Sequence, residues 1–206
     1  VRGLTTEQVS SLTTVQLAAL STEALSVMET VDVAVLSSAQ VRGFGTRQVG
    51  ALGTDGVKAL STDGIRGLTS AGVAGLSSDQ VKELTTEQVG VLTSAQVVAI
   101  TTQAVVGLET VDIAVLGSGQ VRGLASAQVG RLNSEQIGAL STDAVAGLGS
   151  AQLRGITTDA LAGLTTEQIS KLVSSQAAVL TTTQLRVLTT DQVGGLSLGA
   201  LRGLLS

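Results

Sequence analysis

The chain of 206 residues contains no Pro, Cys, His, Trp or Tyr, and its only aromatic residue is Phe44. Each absence excludes something. Without Cys there is no disulfide framework and no thiolate metal site. Without His the commonest general base and zinc ligand is missing. The net charge is -4, from 12 basic and 16 acidic residues interspersed along the chain, so no basic patch awaits nucleic acid or anionic lipid. No apolar run approaches the roughly 18 residues of a membrane-spanning helix, because Ser, Thr, Asp or Glu interrupts every stretch of eight. The chain is therefore read as having no membrane insertion and no nucleic-acid partner.

What is present is a repeat. From Leu4 in steps of eight to Leu204, all 26 positions are large and apolar. With that position named a, position f carries Val9, Leu17, Leu25 and onward to Leu201, aliphatic and large in every copy but Ala177. Position c is Ser or Thr in 24 of 25 complete octads, with Leu198 the exception, whereas b is Ser or Thr in 16 of 26 copies, the final partial one included. Position e is most often Gln, and the consensus reads as in Leu84-Thr85-Thr86-Glu87-Gln88-Val89. Composition stays level from Val1 to Ser206, which predicts one continuous octapeptide-repeat array over residues 1–206. It begins inside a repeat, without an initiator Met or a signal peptide, and reads as a piece of a longer array.

Three geometries compete for the octad. A continuous helix would rotate its a residue by about 80° per copy, so the apolar positions would spiral instead of forming a stripe. The 25 Gly would weaken it further. A β-solenoid is favoured by Thr pairs and Val, but the a-to-f and f-to-a spacings are both odd, whereas strand faces repeat every second residue. It stays open as the alternative, with corners to absorb the mismatch. The third geometry puts one short helix in each octad.

In that frame Thr85 is an N-cap, Gln88 closes a capping box, and Leu84 and Val89 occupy hydrophobic-staple positions. Gly at h (Gly67, Gly75, Gly123, Gly163) is expected to end the helix in a left-handed conformation. Charge agrees: eleven acidic residues sit at d, in the first turn, and nine basic residues at g, near the last, as the helix dipole prefers. The strictness of c over b leaves two readings: c is the true N-cap, as Thr30 and Thr110 suggest beside Glu29 and Glu109, or c forms a hydroxyl ladder between stacked octads. The fold expected is an all-α solenoid of short helices of about five or six residues, stacked because two aliphatic side chains cannot stabilise eight ordered residues alone.

A longer period is also present. Met28-Glu29-Thr30-Val31-Asp32 recurs as Leu108-Glu109-Thr110-Val111-Asp112, and Gln40-Val41-Arg42-Gly43 as Gln120-Val121-Arg122-Gly123. Ten octads are either a duplication unit or the number that returns the superhelix to one face.

Candidate chemistry is sparse. Glu29 with Asp32, and Glu109 with Asp112, place paired acids at a helix start, where they would bind a cation through oxygen or complement the helix dipole. The second role is favoured, and Gly117-Ser118-Gly119 is read as turn glycine, not a phosphate loop. No catalytic, cofactor-binding or metal-binding residue is assigned, no cofactor is expected, and the chain is read as a non-enzyme. Rows of Ser and Thr on one solenoid face would be the route to ice or glycan contact.

Two resemblances follow. Leu84-Thr85-Thr86-Glu87-Gln88-Val89 and Gln96-Val97-Val98-Ala99-Ile100 resemble the opening of the repeat of transcription-activator-like effectors, over about nine residues. The likeness implies helix there; the longer repeat, the base-reading loop and the positive charge are missing. Over essentially the whole chain, the octads resemble the LTTxQVxxL tracts of very large, adhesin-like bacterial surface and secreted proteins. That resemblance implies an extracellular or cell-surface structural segment: a rod or self-assembling fibre, with end-to-end or lateral self-association. The alternative is a solenoid scaffold that recognises protein, glycan or ice through one face.

Overall fold

The computed structural model describes residues 3–205. Each octad forms one short helix: 24 α-helices of four to seven residues and one 3-10 helix, Val105–Gly107, with no strand among the described residues. The short-helix geometry is the one adopted, and the β-solenoid alternative falls away. Each helix begins at c and has b as its N-cap, except Gly53–Ala59, which begins at b with Leu52 as N-cap, and Val105–Gly107, which begins at f after Ala104. In Thr86–Gly90, Thr85 Oγ1 accepts the Gln88 N–H at 3.2 Å while Gln88 Oε1 accepts the Thr85 N–H at 2.8 Å. Even where b is Glu29 or Glu109, that residue is the N-cap and the helix starts at Thr30 or Thr110.

The chain forms two compact units, Val1–Leu108 and Glu109–Ser206. Within each, a helix packs on the helix three octads later. In the first unit Thr14–Ala18 lies against Ser38–Val41 and Ser38–Val41 against Thr62–Gly67; in the second Ser118–Gly123 lies against Thr142–Gly147 and Thr142–Gly147 against Thr166–Ser170. Three octads therefore complete one solenoid turn. Ten octads are not a whole number of such turns, which leaves duplication as the reading of the longer period.

The core is made of the a and f rows. Val9, Leu17, Leu25, Phe44 and Val89 are each at most 1% exposed, and Ala177 is fully buried. The two rows face opposite ways along the stack. In the first turn f is buried while Leu4 at a is 38% exposed; in the last, Leu196 at a is 7% exposed while Val193 and Leu201 at f are 44% and 38% exposed. Position a thus packs toward the preceding turn and f toward the following one. This is why the odd spacings suit a helix: staple positions N′ and N4 both point inward from one side of a single turn.

One expectation is overturned. The h glycines do not end helices in the left-handed region; among the described residues only Gly3 and Gly53 have positive φ. Instead h is a point of close approach. A Cβ built on Gly155 would lie 2.6 Å from the Ser126 carbonyl oxygen, and one on Gly75 would overlap the Thr46 carbonyl oxygen and sit 2.9 Å from Thr46 Cα. Glycine at h lets one helix settle on the c residue of the helix a turn before.

Candidate functional site

The polar residues that repeat meet at the solenoid corners. Gln at e faces the corner of the preceding turn, and its two ends do different work. In octads beyond the first turn, Oε1 caps the Gln's own helix, while the Nε2 amide donates to main-chain carbonyls 31, 30 and 28 residues earlier. Gln40 Nε2 reaches Val9, Ser10 and Leu12 at 3.1, 3.1 and 2.8 Å. Gln88 reaches Val57, Lys58 and Leu60 at 3.3, 3.1 and 2.6 Å, and in the second unit Gln176 reaches Val145, Ala146 and Leu148 at 3.1, 3.2 and 2.9 Å. They lie at the C-terminal end of a short helix; the first of each set, Val9, Val57 or Val145, also accepts the N–H of the next a residue, and the other two are ones the helix leaves open. The glutamine side chains are buried to match: Gln80, Gln88 and Gln96 are 2–3% exposed.

The cap that Oε1 supplies does not depend on the side chain at b. Where b has no side-chain acceptor, at Gly45, Gly117, Ala125, Gly149 and Val173, the Gln three residues on still accepts the b N–H, at 2.6–3.0 Å. Octads with Ala24, Ala144, Ala160 or Ala200 at e keep their α-helices, but the octad 100–107 departs from the pattern. There Gln moves to d (Gln103), Ala104 takes e, and the helix shrinks to the 3-10 segment Val105–Gly107, just before the boundary of the two units.

Position c works along the stack. Thr14 Oγ1 donates to the Ala39 carbonyl at 3.1 Å, Thr46 to Ala71 at 2.7 Å and Ser70 to Ala95 at 3.5 Å, each one turn on. The hydroxyl-ladder reading of c is the one the geometry supports. The h backbone of the later turn also lies over c, so c must be small as well as hydroxylic. Basic residues at g extend the stitching: Lys58 Nζ pairs with Glu83 at 2.9 Å, Arg122 Nε donates to Gly147 O at 3.2 Å and Arg154 Nε to Val179 O at 3.4 Å. Hydrogen bonding first, and charge second, hold the Lys58 ammonium above its ordinary pKa of 10.5 and the Glu83 carboxyl below 4.5.

The two acidic pairs do not converge. Asp112 Oδ2 turns back to accept the Glu109 N–H at 3.1 Å, the capping role Gln plays elsewhere. Asp32 is 5% exposed, whereas Glu29 is on the surface. No group of three or more Asp, Glu, His or Cys that could hold a metal ion occurs among the described residues. Gly117 is the N-cap of the helix Ser118–Gly123, so the Gly-Ser-Gly stretch is a helix start. The duplicated octads instead share an exposed apolar pair, Val31 and Val35 at 57% and 42% and Val111 and Val115 at 57% and 43%.

Two surface clefts lie in the first unit. One, of about 340 Å³, has Arg42, Arg66, Thr69, Ser70 and Thr93 around it. The other, of about 520 Å³, lies between residues 26–31 and 52–56.

A family model described as the ALTTAQ repeat matches residues 25–62, 55–86, 105–142 and 143–174, more than half of the chain. The chain belongs to the ALTTAQ repeat family. Laid on the octad, the six letters of ALTTAQ run from h to e, as in Val91-Leu92-Thr93-Ser94-Ala95-Gln96, so the closing Gln of the ALTTAQ motif is the corner amide and its second Thr the rung between turns. No curated protein matches the chain. No helix among the described residues of this ALTTAQ repeat protein is long and apolar enough to cross a membrane.

Proposed function

We propose that this chain is a structural segment of a large bacterial extracellular or cell-surface protein: a rod built from stacked three-octad turns, catalysing no reaction, that extends an appendage or associates with copies of itself. The observation that carries this reading is where the repeating polar groups are used. The e amide, the c hydroxyl and the h glycine all join one turn to another, so the repeat is devoted to its own continuation. The extracellular setting and the adhesin-like context are supported by the resemblance of the octads to long bacterial surface tracts.

Electron microscopy of the purified chain over a range of concentrations tests the assembly. Rods that lengthen or bundle with concentration are expected, with each turn adding about 8–10 Å, the spacing of packed helices. Monodisperse particles at the highest concentration would remove self-association from the proposal. Antibody labelling of intact cells producing the parent protein tests its location, and absence of label from cells whose permeabilised counterparts stain would contradict a surface role.

A further inference from the structure

The turn Leu52–Gly75 differs from other turns of the first unit in having glycine at e on all three corners: Gly56, Gly64 and Gly72. At Gly72 the corner is closed, with a Cβ there meeting Val49 Cγ2 at 3.3 Å and the Phe44 carbonyl oxygen at 3.5 Å. At Gly56 it is open, and this is where the 520 Å³ cleft lies. The spacing by which Gln40, Gln88 and Gln176 reach back assigns to position 56 the carbonyls of Leu25, Ser26 and Met28. Glycine brings no amide to them, and no donor among the described residues reaches the carbonyl of Ser26 or Met28. The other corners thus show which chemistry this cleft accepts: a planar group with N–H donors along its edge.

The surroundings add charge and a path for a stem. Glu29 and Asp55 border the cleft from opposite walls, and both are exposed. Neither forms an ion pair within 4 Å among the described residues; Lys58, the cation nearest Asp55 on its helix, bonds Glu83 on the next turn at 2.9 Å. Val31, 57% exposed, and Met28 supply an apolar edge. A flat donor head, a positive charge and an aliphatic stem together describe one side chain. We propose that the Gly56 corner binds the guanidinium of an arginine presented by a partner polypeptide, its N–H groups on the Ser26 and Met28 carbonyls and its charge between Glu29 and Asp55.

The test is an NMR titration of the whole chain with N-acetyl-arginine N-methylamide, beside the citrulline analogue, which keeps the planar donor head but is neutral. The arginine probe should shift signals of residues 25–31 and 52–57 alone, with the citrulline probe bound about five- to tenfold more weakly. Gly56→Gln should abolish the shifts by supplying the amide internally. A Cβ at that position meets only Leu52, with Cβ at 3.2 Å and Cδ2 at 4.0 Å, and no atom of another turn within 4 Å, so a shift of a few tenths of an ångström accommodates it and the variant retains the fold. Glu29→Gln, a surface change, should weaken the arginine probe and leave the citrulline probe unaltered. Shifts spread over the surface, equal binding of the two probes, or binding that survives Gly56→Gln would each overturn the proposal.

Discussion

Two consecutive turns of the first unit solve the same stacking problem differently. The turn Leu76–Ala99 has Gln80, Gln88 and Gln96 at its corners and Glu83, Val91 and Ala99 at h. The turn Leu52–Gly75 has Gly56, Gly64 and Gly72 at its corners and Ala59, Gly67 and Gly75 at h. The first is held by nine amide-to-carbonyl hydrogen bonds reaching back 27 to 31 residues, to carbonyls from Val49 to Leu68. The second is held by backbone settling on backbone, with Gly67 over Ser38 and Gly75 over Thr46, and by the Thr46 hydroxyl on Ala71. One ALTTAQ repeat array thus uses two kinds of seam, and the seam without amides leaves a corner open at the surface.

Substitutions that remove one seam without touching the other should separate them. Gly75→Ala should have the largest effect, because its methyl would overlap main-chain atoms of Thr46 that cannot rotate away. A loss of about 3 kcal/mol or more in denaturant unfolding is expected, while the same methyl at Gly56, facing a side chain, should be far milder. Next comes Gln88→Ala, which strands the carbonyls of Lys58 and Leu60 inside the corner, Val57 keeping the Leu60 N–H, and should cost about 2–3 kcal/mol. Gln8→Ala is its internal control: Gln8 is exposed and only caps its helix, so about 1 kcal/mol or less is expected. If the two glutamine variants unfold alike, the corner amide contributes nothing.

Thr46→Val keeps the shape at c and removes the 2.7 Å bond to Ala71, for an expected loss of about 1 kcal/mol by the same assay. The smallest effect belongs to the Lys58–Glu83 pair, which bridges the two turns at the surface, its side chains 55% and 40% exposed. Glu83 is held below its ordinary value, so its contribution is present above about pH 4.5 and fades as pH falls through the depressed value. Lys58 is held above 10.5, so its contribution is present below that pH and fades as pH rises through the elevated value. Between them the thermal midpoint of Glu83→Gln should fall slightly below that of the parent at low salt, and the gap should close at high salt.

Much of this architecture is legible in the octad. The Thr85–Gln88 capping box, the Leu84 and Val89 staple and the charges at d and g specify a short helix from local spacing alone, because capping acts over three or four residues. What lies 24 or more residues away is not written in any one octad. The contacts of Gln88 with Leu60, or of Gly75 with Thr46, exist only once three octads close a turn, and no local rule counts octads per turn. A trace of them is nonetheless present. Gln persists at e where b has become Gly45, Gly117, Ala125, Gly149 or Val173 and the b side-chain half of the capping box is gone, although Asp at e caps as well at Asp112, so Gln in particular points to a use for its amide nitrogen. The h glycines mislead for a related reason: glycine serves both left-handed helix ends and close backbone approach, and the second needs a neighbour that the local sequence does not name.

The most direct test of the corner amide is hydrogen exchange of glutamine side chains, followed by NMR through the Nε2 protons. Gln80, Gln88 and Gln96, each buried against three carbonyls, should exchange far more slowly than Gln8 and Gln16, which are exposed at the first turn. Uniformly fast exchange at all five would contradict the account, since no side-chain amide would then be holding one turn of the solenoid to the next.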